Sequence, residues 1–240
     1  MRNNNQEIAA LLARESYNSN KSRNRILTAA VALTVMMLFG VFSLAVGKLE
    51  TDILLYMRNS GTAASTTLER GSKEQQEKIE ALPYIKAVGS SVYIGNTEEY
   101  SCEVLDETGW EKMTAPAYSD IHGAYPQKAE EIMLPVRALE EIGIHEPELG
   151  MEIPASITLT EGGKLEKTFI LSGYYTDYLD PAIYRPAGYF SQEFLQGLTM
   201  EKEENTTLLI QQKDNIDEEA IEDMLYRDVE MRDDSQQFFG

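Results

Sequence analysis

The side chains with the readiest chemistry in this chain are few: one cysteine, Cys102, and two histidines, His122 and His145. A nucleophilic cysteine needs a base or a positive neighbour, and a catalytic histidine needs a partner that sets its tautomer. Neither histidine stands at a ligand or triad spacing, so both read as structural or surface residues. Cys102 reads as a buried or half-buried strand residue, and alone it can form no intramolecular disulfide. Gly162-Gly163-Lys164 shares letters with a phosphate loop but lacks the strand-to-helix setting, and reads as a hairpin turn. GxSxG, HExxH and CxxC are all absent. Carboxylates total 40 against 21 lysines and arginines, so a pair such as Glu130-Glu131 reads as solvated charge. No stretch sets alternating oxygen ligands around a turn glycine, as a calcium loop requires. The sequence therefore predicts no enzyme, with no catalytic residue, cofactor or metal.

One cluster stands out. "GYYTDYLDPAIYRPAGYF" holds Tyr174, Tyr175, Tyr178, Tyr184, Tyr189 and Phe190. Tyrosine offers a large amphipathic contact area at low entropy cost, so these rings are candidates for a partner or ligand surface. The alternative is that they cover the end of a sheet and fill a second small core.

The elements that must carry these residues begin with a membrane segment. Ile26 to Gly47 contains no charge. These 22 residues make roughly 33 Å of helix, enough to cross a hydrocarbon core of about 30 Å. Lys21, Arg23 and Arg25 precede the span, while Glu50 and Asp52 follow soon after it. The positive-inside rule then puts the N-terminus in the cytoplasm and the rest outside. Cleavage after Ser43-Leu44-Ala45 is the competing reading, but the apolar run is too long and its leader too extended for an ordinary signal peptide. Ile8, Leu11, Leu12 and Glu15 recur at helical spacing, predicting a short amphipathic helix on the inner leaflet or on a cytoplasmic partner.

Charge divides at the span. Of the net −19, residues 1–48 hold six basic side chains against two acidic ones, which leaves −23 for the remainder. Such a segment repels phosphate backbones, so nucleic acid is not an expected partner.

After the span, a helical rhythm through Leu49, Ile53, Leu54, Met57 and Ala63-Ala64 predicts an extension over residues 48–70. Ser72 is placed to cap a helix reaching Leu82, with Gln75 completing a capping box. A strand is expected at Ile85–Ile94, with Gly89 as a bulge, and another at Tyr100–Leu105. A helix at Pro135–Ile142 stops at Gly143. Strands Glu152–Leu159 and Lys167–Tyr175 flank Gly162-Gly163, a strand covers 206–211, and a helix capped by Asp217 follows. Strands with interspersed helices indicate an α+β domain containing a βαβ-type unit.

The order of these features resembles the permease subunits of the MacB/FtsX type of ABC transporter. "EKIEALPYIKAVGS" is similar to the helix and strand that open that family's extracytoplasmic core domain. "AEEIMLPVRALEEIGI" followed by "ELGMEIPASITL" resembles its recurrent segment, with Glu131, Pro135, Gly143 and Gly150 at the marked positions. "KTFILSGYYTD" and "TTLLIQQKDNIDEEAIEDML" resemble the later strand and the late strand–helix pair. The sequence departs at His145-Glu146-Pro147-Glu148, which lengthens the link between the two glycines, and in lacking the later membrane helices. The chain is therefore expected to be a fragment of a longer permease.

These readings divide the chain into four expected parts: a cytoplasmic segment at 1–25, a membrane helix at 26–47, an extension at 48–70 and an extracytoplasmic α+β domain of the MacB-like type at 71–240. The resemblance implies a separate cytoplasmic ATPase, a dimer of permeases and a bacterial cell membrane. The work done would be export, extraction or sensing of peptides, lipoproteins or drug-like molecules. The competing function is a single-span sensor or scaffold without transport activity.

Overall fold

The computed structural model describes residues 5–214, 218–233 and 236–239. The chain divides into two units, residues 1–53 and 54–240. In the first, α1 (Asn5–Ser19) precedes α2 (Lys21–Ser60), and no residue of either helix is buried. Among the described residues α2 is the one helix long and apolar enough to cross a membrane. Thr28 and Thr34 return their hydroxyls to the carbonyls of Asn24 and Ala30 at 2.9 Å. This is the usual way a hydroxyl is satisfied on an apolar helix.

The helix ends at Ser60, ten residues before the expected close of the extension. Gly61 follows at φ +72°, a backbone that few residues with a Cβ adopt. Thr66–Glu69 is already a strand, β1, and Ala64 is buried.

The second unit is built on one sheet. β1, α3 (Lys73–Glu80) and β2 (Ile85–Asn96) form a split βαβ unit, with β9 (Thr206–Gln212) lying antiparallel between the two strands. Ser72 caps α3 and exchanges reciprocal bonds with Gln75, completing the capping box. α3 and α6 (Glu218–Asp228) cover this half through Leu68, Ile79, Val88, Ile210, Ile221 and Leu225. Asp217, the expected cap of α6, lies outside the described residues. β10 (Phe238–Phe239) pairs with β1 at the edge.

The other half closes on itself. β3 (Ser101–Leu105), β8 (Ala187–Phe190), β5 (Glu131–Pro135), β7 (Lys164–Thr176) and β6 (Glu152–Leu159) follow β2, and β6 pairs again with β2. Six strands thus make a ring. The closing contact is tight: a Cβ on Gly95, whose φ is +149°, would lie 2.2 Å from the Thr158 carbonyl oxygen. Inside sit Ile94, Cys102, Ile132, Ile157, Phe169 and Phe190, with α4 (Val136–Glu141) and α5 (Gln192–Gly197) adding Leu139 and Phe194. Burying one such large apolar side chain contributes roughly 2 kcal/mol. β4 (Ser119–Gly123) is the exposed edge beside β7.

Gly89 is not a bulge. It pairs regularly with Leu209, and the register shifts fall at Ile85/Ala87 and Tyr93/Gly95 instead. What Gly89 provides is space, since a Cβ there would meet the Cα and N of Gly109 at 2.5 Å. A π-helical turn, Gly109–Thr114, rests on the sheet at that point.

Candidate functional site

The tyrosine-rich segment does not lie on one surface. Along β7 the alternation Phe169, Leu171, Gly173, Tyr175 would place all four on one face. The pairing with β5 shifts register between Ile132 and Met133, opposite Leu171 and Gly173. That bulge reverses the facing of the residues beyond it. Tyr174 therefore packs toward the ring interior with Leu134, and Tyr175 turns to the opposite face. Tyr175 and Tyr189 are 0% and 2% exposed and belong to a second core, so neither offers contact area to a partner.

This second core is aromatic. Tyr118 stacks on Tyr175 with centroids 4.2 Å apart, and Trp110 lies 5.0 Å from Tyr125 and 5.4 Å from Tyr189. Each buried phenol finds a partner. The Tyr118 and Tyr189 hydroxyls are 2.7 Å apart, the Tyr175 hydroxyl donates to the Ala187 carbonyl at 2.5 Å, and the Tyr125 hydroxyl accepts from the Leu105 N–H at 2.7 Å. Burial pushes the ionisation of Tyr118, Tyr175 and Tyr189 above the ordinary phenol range. These rings pack as a hydrogen-bonded aromatic core.

Glu103 projects from β3 on this same face, opposite Tyr93 and Tyr189. It accepts bonds from the Ser91 and Ser101 hydroxyls at 3.0 and 3.2 Å. Burial pushes its carboxyl upward, and the two hydroxyls partly offset that.

The other tyrosines meet solvent at different places. Tyr174 stacks on His122 at 4.9 Å. The Arg58 guanidinium, on the last turn of α2, lies 4.2 Å above the Tyr178 ring, whose hydroxyl is 2.6 Å from Ser119 Oγ. Tyr184 is half exposed. Between Tyr178 and Tyr184 the loop is held by Arg137 of α4, which donates to the Leu179 and Tyr184 carbonyls at 3.4 Å, and just before it the same guanidinium ion-pairs with Asp177 at 2.8 Å. Desolvation raises the Asp177 carboxyl, and the Arg137 charge pulls it back.

Cys102 is buried inside the ring, and burial drives its thiol far above the ordinary range. His145 is exposed. Among the described residues no three His, Cys, Asp or Glu side chains gather into a metal-binding group. Sequence reasoning misses Trp110, Tyr118, Tyr125, Glu103, Arg137 and Asp177. The one available signal is the sole tryptophan in a stretch, 109–125, that also carries two tyrosines; without a strand or helix period, nothing there discloses a shared face.

No family model matches the chain, and no curated protein matches it in sequence. Among solved structures the chain is similar to the periplasmic region of MacB from Actinobacillus actinomycetemcomitans. The identity is 14%, 78% of this chain and 92% of that chain are covered, and the TM-score is 0.43. It is also similar to the extracellular domain of the noncanonic ABC-type transporter YknZ from Gram-positive bacteria. There the identity is 9%, the coverages are 76% and 91%, and the TM-score is 0.41.

Proposed function

We propose that this chain serves as part of a permease subunit of an ABC transporter of the MacB/FtsX type. In this reading residues 26–47 cross the membrane, the N-terminus is cytoplasmic, and the α+β unit is extracytoplasmic. A separate ATPase hydrolyses ATP, and the permease passes the resulting two-state movement to its outer domain, within a dimer.

The observation that carries the proposal is the conformation of the two glycines on which the sequence resemblance rests. Gly143 ends α4 at φ +86°, and Gly150 precedes β6 at φ +88°. Both have a backbone that favours glycine, so the resemblance lies on positions the backbone constrains. Pro135 supports it too, standing directly before α4 in extended conformation. Of the tyrosine segment, Tyr174, Tyr178 and Tyr184 keep exposed area for a partner.

The test is purification of the full chain in nonionic detergent from its native host. An ABC-type ATPase subunit is expected to copurify, while the chain stripped of that subunit hydrolyses no ATP. ATP hydrolysis by the chain alone, or recovery without any ATPase partner, would sink the reading.

A further inference from the structure

Beside the π-helical turn lies a cavity of about 610 Å³, within the range of small-molecule sites. Its aromatic wall is Trp110 and Tyr125, and its rim carries Glu107 and Glu111. The geometry points to a binding site for a small organic cation, an ammonium group borne on an apolar or aromatic body.

The walls are held in advance of any ligand. Asp106 anchors the turn, accepting from Gly109 N–H at 2.6 Å, Ser90 Oγ at 2.9 Å and Gln76 Nε2 at 3.1 Å. The Gly89–Gly109 contact sets the turn directly on β2, so Trp110 cannot retreat far. Tyr125 is fixed by its bond to Leu105 and its contact with Trp110. Turns of this π type are rare and recur at functional sites.

The charge of the occupant follows from the lining. No lysine, arginine or histidine lines the cavity. The polar amides are committed elsewhere: Gln192 Nε2 donates to the Leu105 carbonyl at 3.1 Å, and Gln127 Nε2 to the Tyr125 carbonyl at 3.2 Å. The side chains of Glu107 and Glu111 form no hydrogen bond or ion pair among the described residues. An anion would therefore face two uncompensated carboxylates. A bare metal ion would find too few converging oxygens and an apolar wall. An organic cation satisfies both parts, with its charge against the carboxylates and its body on the indole and phenol faces. The strongly negative remainder of the chain draws cations toward such a site. This inference stands apart from the transport reading, because it uses only the lining of this cavity.

Trp110 is the only tryptophan, so intrinsic fluorescence reports on the site directly. The full chain in nonionic detergent is titrated with benzyltrimethylammonium, with benzenesulfonate and benzyl alcohol in parallel. Saturable quenching by the cation, far weaker with the other two, is expected. In the Glu107→Gln, Glu111→Gln double variant the apparent Kd should rise by about tenfold. Both glutamates are exposed, so an unchanged unfolding midpoint certifies that the variant remains folded. Linear, unsaturable quenching, equal response to benzenesulfonate, or an unchanged Kd in the folded double variant would each overturn the proposal.

Discussion

Glu103 illustrates how a single side chain couples the sheet to solution conditions. Its carboxylate loses hydration beside Tyr189 and keeps only the Ser91 and Ser101 hydroxyls as donors. The folded chain therefore holds the Glu103 proton more tightly than the unfolded chain does. Stability from this group is then fully present below the unfolded glutamate value of about 4.3, and is lost as pH rises through the folded value. Glu103→Gln cannot ionise. It is expected to be more stable than the parent at neutral pH, with the advantage shrinking toward acid. Urea midpoints of both proteins, followed by Trp110 fluorescence, measure this; an advantage that grows on acidification would contradict the burial argument. Cys102 was legible as a buried strand residue, being a lone cysteine with no histidine near it in the sequence. The company of Glu103 was not, because Ser91 and Tyr93 reach it from β2 and Tyr189 from β8, both distant in the chain.

At the scale of elements, the ion pair of Arg137 with Asp177 ties α4 to the loop that leaves β7. Asp177 is 6% exposed and Arg137 19%, so removing one partner strands a charge in a poorly hydrated place. Arg137→Ala is expected to cost about 3 kcal/mol of unfolding free energy. The double variant Arg137→Leu, Asp177→Asn should recover most of that loss, since it leaves no bare charge behind. Denaturant unfolding of the three proteins decides it, and a double variant no better than the single one would refute the desolvation account. Local signals identified α3, β6 and β7 well, because the Ser72 box, the alternation of Ile153, Ala155 and Ile157, and the Gly162-Gly163 turn are all encoded within a few residues. The π-helical turn and the facing of Tyr175 escaped, because each depends on a register or a glycine contact supplied by a distant segment.

At the scale of the whole molecule, the apolar run after Arg25 and the acidic remainder predict opposite fates for the two flanks of the span. The sole cysteine is buried with its thiol protonated, so it provides a silent background for labelling. Glu148→Cys, at an exposed position, should react with a membrane-impermeant maleimide on intact cells. Ser16→Cys should react only after permeabilisation. The reverse pattern would invert the proposed topology.

The sequence by itself determined the long apolar run, the split of charge and the capping of α3, since each follows from composition or from neighbours along the chain. Only the tertiary structure decided that six strands close through Gly95 into a ring, and which tyrosines are core and which meet solvent. It alone brought Trp110, Tyr125, Glu107 and Glu111 around one cavity. These features are pairings between residues far apart in the chain, and a shift of one residue in register reverses which face a side chain serves.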